Sequence, residues 1–131
     1  MSGEEPPFLL LYGSLRRGEP MFGELALEEA LDFVGEVDFP GELYDLGDYP
    51  GAVAGEGRVR GELYRMMRPE ILEALDRYEE YDQADPEGSL FVRRRVPIEG
   101  IGEAWVYLFN GRPTGRWRIA SGDWRKRRPA A

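Results

Sequence analysis

The chain has 131 residues, 42% of them hydrophobic, and this size and composition are typical of one folded domain. It contains no cysteine and no histidine, which excludes disulfides, thiolate nucleophiles, a histidine general base and the usual zinc ligands. The formal net charge of −8 disfavours phosphate backbones and anionic lipid as partners; carboxylates, hydroxyls, arginines and backbone N–H groups are left for chemistry, and we expect no metal and no cofactor.

The first half of the chain predicts several strands and one short helix. An apolar run between Pro7 and Gly13 is typical of a buried strand, and Pro20 precedes an amphipathic, helical pattern. Later segments alternate apolar and polar residues, as strands do. The predicted elements are a strand at 8–12, a polar turn at 13–20, a helix at 21–31, one or two strands within 33–43, a turn at 48–51 and a half-buried strand at 59–63.

The second half contains the best-defined helix and two further strands. Pro69 suits the first turn of a helix, where its missing N–H has no consequence, and the helix is predicted over 71–81. A loop at 82–89, strands at 91–98 and 103–109, and a short turn or helix at 121–125 follow. Because most strands are compatible with hairpins, the pattern favours an α+β sheet or small barrel. We expect a single domain over 1–131 with flexible ends at 1–6 and 126–131.

The two ends of the chain bear on location and partners. No apolar run approaches the roughly 18 residues that a membrane span needs, and the acidic start at 1–7 does not resemble a secretory leader, so we expect a cytoplasmic protein without a membrane partner. The basic run at 125–128 leaves a small nucleic-acid arm open as an alternative. A solvated tail is the favoured interpretation on an acidic protein, so nucleic acid is an unlikely partner. Trp117 and Trp124 near this run are expected to cover the sheet edge; stacking on bases is the alternative.

Glu79 is the first candidate for chemistry. On a helical wheel it falls between Leu75 and Leu72, on the apolar side of the helix at 71–81. A carboxylate in that position must be paired or neutral, because desolvation raises its pKa, and a raised pKa suits a general acid or base. The wheel alone slightly favours the alternatives, which are a structural ion pair with an arginine or a place at the rim of the core.

The second candidate is the loop Tyr12-Gly13-Ser14-Leu15 directly after the first strand. A glycine at a strand end lets the backbone turn and expose successive N–H groups, which hold carboxylates, phosphates or oxyanions. The glycine spacing is not that of a phosphate-binding loop, and an ordinary strand-to-helix turn remains the alternative. The hydroxyls of Ser14 and Tyr107 are possible substrate ligands, although a tyrosine on a central strand is more often a core residue.

These motifs occur in an order that resembles the γ-glutamylcyclotransferase-like family, which includes γ-glutamylamine cyclotransferases and AIG2-like proteins. The resemblance covers about 8–124 and is carried by these segments: Leu9-Leu10-Leu11-Tyr12-Gly13-Ser14-Leu15-Arg16-Arg17-Gly18, Asp48-Tyr49-Pro50-Gly51, Val59-Arg60-Gly61-Glu62-Leu63-Tyr64, Leu75-Asp76-Arg77-Tyr78-Glu79 and Ala104-Trp105-Val106-Tyr107. It implies a small mixed β-barrel or strongly curved sheet flanked by short helices. It also implies that the loop at 12–15 binds a γ-glutamyl substrate and that Glu79 is the acid/base.

The reaction that the resemblance implies is release of 5-oxoproline and a free amine from a γ-glutamyl amine or γ-glutamyl peptide. Two positions depart from the family pattern. Glu80 stands where relatives commonly have glycine, which favours a helix that continues past Glu79, and Met21 stands where many have asparagine. The alternative function is a non-catalytic small-molecule or protein-interaction domain on the same fold, since a fold does not determine an activity.

Overall fold

A computed structural model describes residues 5–126; the predictions for residues 1–4 and 127–131, including half of the basic run at 125–128, lie outside the described residues. The helices and strands, in chain order, are β1 (Phe8–Leu11), α1 (Pro20–Glu24), α2 (Leu27–Ala30), β2 (Leu31–Asp45), β3 (Pro50–Met66), α3 (Ile71–Tyr78), β4 (Phe91–Ile98) and β5 (Gly102–Phe109). Single 3-10 turns lie at Pro86–Gly88, Gly115–Trp117 and Trp124–Lys126. In the described range no helix has the length and apolar character needed to cross a bilayer.

The five strands form one mixed sheet in the order β2-β3-β1-β5-β4. Only the pair β1 and β5 is parallel; the other neighbours are antiparallel. Within residues 5–126 the outer strands β2 and β4 do not pair, although some of their residues approach within 8 Å. The α+β prediction is therefore confirmed in its curved-sheet form, whereas the sheet does not close into a barrel. Register shifts in β2 between Phe33 and Gly35 and between Pro40 and Glu42 mark the bulges at which a long strand bends.

Both faces of the sheet are covered, which explains its burial. Alternate residues of β1 point to opposite faces, so Leu10 joins one apolar cluster while Leu9 and Leu11 join another. The first cluster also contains Phe39, Val59, Leu63, Val106 and Trp124. The second contains Leu15, Leu27, Leu72, Leu75 and Tyr107, so the helices cover this face.

The prediction of one continuous helix over 21–31 is wrong. The structure has two short helices, with Ala26 between them in the left-handed conformation at a φ of 52°. Leu25 and Leu27 are two positions apart and would point about 200° apart on one helix, so a continuous helix could not turn both toward the core. The break at Ala26 lets both residues contact the second apolar cluster.

The end of α3 and the surroundings of β3 also differ from prediction. The last residue of α3 is Tyr78 rather than Tyr81, and Glu80 takes a left-handed φ of 56°, so the departure from glycine does not lengthen the helix. Glu80 instead adopts a conformation that glycine adopts more readily. In β3, predicted as half-buried, Glu62 is completely buried, because the helix-covered face shields alternate residues from water as well.

Two other predictions have clear outcomes. The region 33–43, predicted as one or two strands, lies within the single strand β2. Trp124 is buried in the first apolar cluster, as expected for a residue that covers the sheet, whereas Trp117 is 52% exposed and lies beneath the Arg116 guanidinium.

Candidate active site

A cavity of about 220 Å³ lies where the end of β1 meets the end of α3. Its walls come from the loop after β1, the turn before β3, the end of α3, the start of β4 and the end of β5. The cavity brings together all six site residues named from the sequence: Tyr12, Gly13, Ser14, Leu15, Glu79 and Tyr107. Their roles in binding or catalysis stay predictions.

The loop after β1 is held in a tight turn that leaves donors unused. Arg16 N–H donates to the Gly13 carbonyl at 3.0 Å, and among residues 5–126 the N–H groups of Gly13, Ser14 and Leu15 have no hydrogen-bond partner. Gly13 is required here for space and not for a left-handed turn, since a Cβ at this position would lie 2.4 Å from Pro50 Cγ. A close packing contact therefore fixes the loop beside the cavity, and three neighbouring donors remain available to an anion.

A buried ion-pair network anchors the far end of the same loop. Glu62 Oε2 lies 3.1 Å from Arg16 Nε, and Glu62 Oε1 accepts hydrogen bonds of 2.9 Å from both Arg17 N–H and the Tyr64 hydroxyl. Arg16 also pairs with Asp123 at 3.0 Å. This network could not be expected from the sequence, because the partners of Arg16 are 46 and 107 positions away and no local pattern links them. It ties the loop to β3 and to the C-terminal segment.

Glu79 lies across the cavity from this loop, at the C-cap position directly after α3. Among the described residues its carboxylate has no ion pair and accepts no hydrogen bond, although the residue as a whole is partly exposed to the cavity. Withdrawal of the carboxyl group from water raises its pKa from 4.5 to about 8. The structural ion pair that the wheel left open is thus not formed within this part of the chain.

Two tyrosine hydroxyls approach the same cavity, and both are hydrogen-bonded. The Tyr12 hydroxyl donates to the Tyr107 carbonyl at 2.7 Å and accepts from Ala52 N–H at 3.0 Å. The Tyr107 hydroxyl donates to Asp76 Oδ1 at 2.5 Å. Burial raises the pKa of both phenols, the hydrogen bond to Asp76 raises that of Tyr107 further, and the negative charge of Glu79 contributes to both. Both phenols therefore stay protonated, and both are close enough to sense the charge of Glu79.

Asp76 also contacts the cavity residue Tyr107, although it had no predicted role beyond its place in the segment Leu75-Asp76-Arg77-Tyr78-Glu79. Its two carboxylate oxygens accept from Arg93 Nε at 2.9 Å and Nη2 at 3.2 Å, in addition to the bond from Tyr107. The Arg93 guanidinium in turn stacks 4.5 Å above the Trp105 ring. The spacing of Asp76 and Glu79, three positions apart near the end of one helix, was the available signal.

Comparisons with known proteins agree on one family. The family described as "Gamma-glutamyl cyclotransferase, AIG2-like" matches residues 9–126. The γ-glutamylcyclotransferase family protein YtfP of Escherichia coli K12 is 32% identical over 117 residues, covering 88% of this chain and 94% of its own length. An uncharacterised Pyrococcus horikoshii protein superposes with a TM-score of 0.68 at 27% identity, over 91% of this chain and 90% of its own. A mouse AIG2-like protein shares the fold, with a TM-score of 0.64 at 22% identity, over 87% and 83% of the two chains.

Proposed function

Because the chain belongs to the gamma-glutamyl cyclotransferase, AIG2-like family, we propose that it is an enzyme that releases 5-oxoproline and a free amine from a γ-glutamyl compound. The observation that carries the proposal is that the Glu79 carboxylate and the N–H groups of 13–15 line one cavity and have no partner among residues 5–126. An acid/base group and an anion-binding loop are the two parts that the reaction requires.

The reaction is an intramolecular aminolysis. The α-amine of the substrate attacks its own γ-carbonyl carbon, so that one C–N bond forms in the five-membered ring and the amide C–N bond to the departing nitrogen breaks. One proton leaves the attacking nitrogen, and one reaches the departing nitrogen. No water is consumed. Holding the amine and the carbonyl in a reactive pose contributes on the order of 7 to 11 kcal/mol, so that no protein nucleophile is needed.

Glu79 suits the proton transfer in this reaction. A carboxylate with a pKa of about 8 is a stronger base than an ordinary glutamate, and at neutral pH it exists in both protonation states. It therefore takes the proton that the attacking α-amine loses as the ring closes and returns it to the departing nitrogen. Because no cation among residues 5–126 pairs with Glu79, the substrate's own ammonium is the positive charge that the site lacks.

The loop at 12–15 suits the negative charges of the substrate. Three neighbouring N–H groups without partners are suited to the α-carboxylate or to the carbonyl oxygen as it becomes an oxyanion. The close contact between Gly13 and Pro50 and the anchoring of Arg16 by Glu62 hold these donors in place before the substrate binds. Donors that are already positioned do not need to reorganise as charge develops.

The charge of the cavity favours an amine over an amino acid as the departing group. Glu79 and Glu80 both line the cavity, and none of its described lining residues is an arginine or a lysine. A departing amino acid carries a second carboxylate, which would face these glutamates without a cationic partner. An uncharged or cationic amine meets no such repulsion, so we favour γ-glutamyl amines over γ-glutamyl peptides as substrates.

Turnover of matched substrates tests this function. A γ-glutamyl alkylamide, a γ-glutamyl diamine and a γ-glutamyl dipeptide are incubated with the protein, and 5-oxoproline is measured. We expect turnover of both amines to exceed that of the dipeptide. The Glu79→Gln variant keeps the size of the side chain, removes the base and lowers kcat by about 10² to 10⁴. Glu73→Gln, on the exposed side of the same helix, is the control and leaves kcat unchanged.

Two results would contradict the proposal. Equal turnover by Glu79→Gln and the unaltered protein would remove Glu79 from the reaction. Thermal stabilisation by the γ-glutamyl compounds without release of 5-oxoproline from any of them would instead support the non-catalytic binding domain as the function.

A further inference from the structure

Tyr12 and Tyr107 are close enough to Glu79 for its charge to raise their pKa, and the hydroxyl of each donates its proton to another acceptor. Tyr12 donates its proton to the Tyr107 carbonyl, and Tyr107 donates its proton to Asp76 Oδ1. A phenol carries a single proton, so neither hydroxyl is able to donate to the Glu79 carboxylate while these bonds persist. Neither of these two cavity-lining hydroxyls is therefore a donor to Glu79, and no other described residue donates to its carboxylate.

Asp76 is built to keep the Tyr107 proton. Its carboxylate is held by two bonds from Arg93, and Arg93 is itself 9% exposed and stacked on Trp105. A carboxylate fixed in this way is a stronger acceptor than a backbone carbonyl, and a bond of 2.5 Å from a hydroxyl is typical of a charge-assisted hydrogen bond. With its proton committed to Asp76, the Tyr107 oxygen has only lone pairs to offer to other groups.

We propose that Asp76 is a positioning residue, which holds the Tyr107 proton so that the Tyr107 oxygen serves as an acceptor for the substrate ammonium and Tyr107 does not donate to Glu79. The part that concerns the ammonium rests on the proposed function. The part that concerns Glu79 does not, because it describes the protein without substrate. If Tyr107 were free to rotate its proton toward Glu79, the hydrogen bond would stabilise the ionised carboxylate and make it a weaker base.

Several other titratable and charged groups surround Glu79, and the effect of replacing them must be separated from that of Tyr107. The titratable and charged residues around it, taken from every neighbouring element, are Tyr12 after β1, Tyr49 before β3, Asp76, Tyr78 and Glu80 at the end of α3, Arg93 on β4 and Tyr107 on β5. Replacing Asp76 removes a negative charge and frees the Arg93 charge, and both changes stabilise the ionised form of Glu79 directly. These direct effects are the same with and without the Tyr107 hydroxyl, so they cancel when the effect of Asp76→Ala is compared between the tyrosine and the phenylalanine backgrounds.

The decisive measurement is the titration midpoint of Glu79, followed by carbon NMR of glutamate-labelled protein and assigned by loss of the signal in Glu79→Gln. We expect Tyr107→Phe to leave the midpoint near 8, because Tyr107 does not donate to Glu79. Asp76→Ala lowers the midpoint by about one pH unit more in the presence of Tyr107 than in the Tyr107→Phe background. The shift is larger with Tyr107 because loss of Asp76 leaves the tyrosine hydroxyl able to donate to Glu79, whereas phenylalanine has no hydroxyl.

A merely structural role for Asp76 would lower stability without this difference between backgrounds. A rise of the midpoint in Tyr107→Phe would overturn the proposal, since it would show that Tyr107 donates to Glu79. An equal shift from Asp76→Ala in both backgrounds would also overturn it. If Asp76→Ala does not fold, the Tyr107→Phe titration alone decides.

A kinetic measurement tests the part that concerns the ammonium. With a substrate that the protein turns over, we expect Tyr107→Phe to lower kcat/KM by about 10-fold or more, because an acceptor for a charged group is lost. An unchanged kcat/KM would overturn this role of Tyr107. Absence of turnover in the unaltered protein would refute the proposed function. The effect of Asp76→Ala on the Glu79 titration midpoint does not depend on turnover, so it would still test the role of Asp76.

Discussion

Two glutamates border the loop after β1, Glu62 bound to it from β3 and Glu79 across the cavity from it, and their surroundings are opposite. Glu62 is completely buried and accepts from Arg16, Arg17 N–H and Tyr64, with Arg125 Nη1 at 3.4 Å as a fourth donor. Glu79 is partly exposed, and no donor within residues 5–126 bonds to its carboxylate. The more deeply buried carboxylate is thus the better compensated one.

This difference separates a structural carboxylate from a reactive one. Every partner of Glu62 belongs to the protein, so its charge is satisfied when the chain folds and no group is left for a ligand. The charge of Glu79 is not satisfied, and its raised pKa expresses the free energy that a bound ammonium would recover. Burial alone is therefore a poor guide to function, and the absence of partners is the better one.

Removing the Glu62 charge is expected to have the largest effect on stability. Glu62→Gln leaves the buried Arg16 without its main partner and places an amide among donors, so the free energy of unfolding should fall by about 3 to 5 kcal/mol. Urea unfolding at pH 7 measures this loss. Glu36→Gln is the matched control, because its pair with Arg60 at 3.4 Å is exposed on both sides and contributes below about 1 kcal/mol. Equal losses of stability in the two variants would show that the buried Glu62 pair contributes no more than an exposed ion pair.

The local parts of the fold were predictable from the sequence, and the long-range parts were not. Strand β4 was predicted to the residue, because its alternation is flanked by clear turn residues, and β5 differs by one position. The direction of Glu79 followed from its spacing to Leu75 and Leu72, both of which are buried. The break at Ala26 was missed because a helical period of 3.6 residues describes only how apolar residues are spaced along the chain. It does not show that residues on the two sides of a break both face the core.

The site shows the same division. The loop at 12–15 and Glu79 could be named separately, and their ordered motifs made it reasonable to place them together. The partners of Asp76 could not be named, since Arg93 and Tyr107 are 17 and 31 positions away and reach it only when β4 and β5 pair beside α3. The same holds for Glu62 and Arg16, whose pairing depends on the register between β1 and β3.

Removing the Glu79 charge is expected to raise the free energy of unfolding, whereas removing the Glu62 charge lowers it. The expected change at Glu79 is also the smaller of the two. Below about pH 4.5 Glu79 is protonated in both the folded and unfolded chain and contributes nothing; between 4.5 and 8 only the unfolded chain releases the proton, so stability falls as the pH rises. Above 8 the whole penalty is present. Glu79→Gln removes it, and because water at the cavity reduces the effect, we expect a gain of about 1 to 3 kcal/mol at pH 9.

Urea unfolding at pH 4 and pH 9 measures this gain, which should vanish at the lower pH. Glu73→Gln is the control on the same helix and should change stability by less than about 0.5 kcal/mol at either pH. Destabilisation of Glu79→Gln at pH 9 would mean that its carboxylate is compensated after all, and the contrast with Glu62 would then be lost.

The smallest effect is expected at Arg125, the exposed member of the Glu62 network. Its side chain is 38% exposed, lies 3.4 Å from Glu62 and 3.7 Å from Glu19, and also bonds the Arg17 carbonyl. Arg125→Gln leaves Glu62 three other donors, so it should destabilise the protein by less than about 1 kcal/mol. Because an exposed charge is screened at a Debye length of about 3 Å in 1 M salt, this loss should disappear in urea unfolding at 1 M NaCl, whereas that of Glu62→Gln should persist. A loss at Arg125 that resists salt would make the C-terminal segment, and not the buried pair of Arg16 and Glu62, the main anchor of the loop.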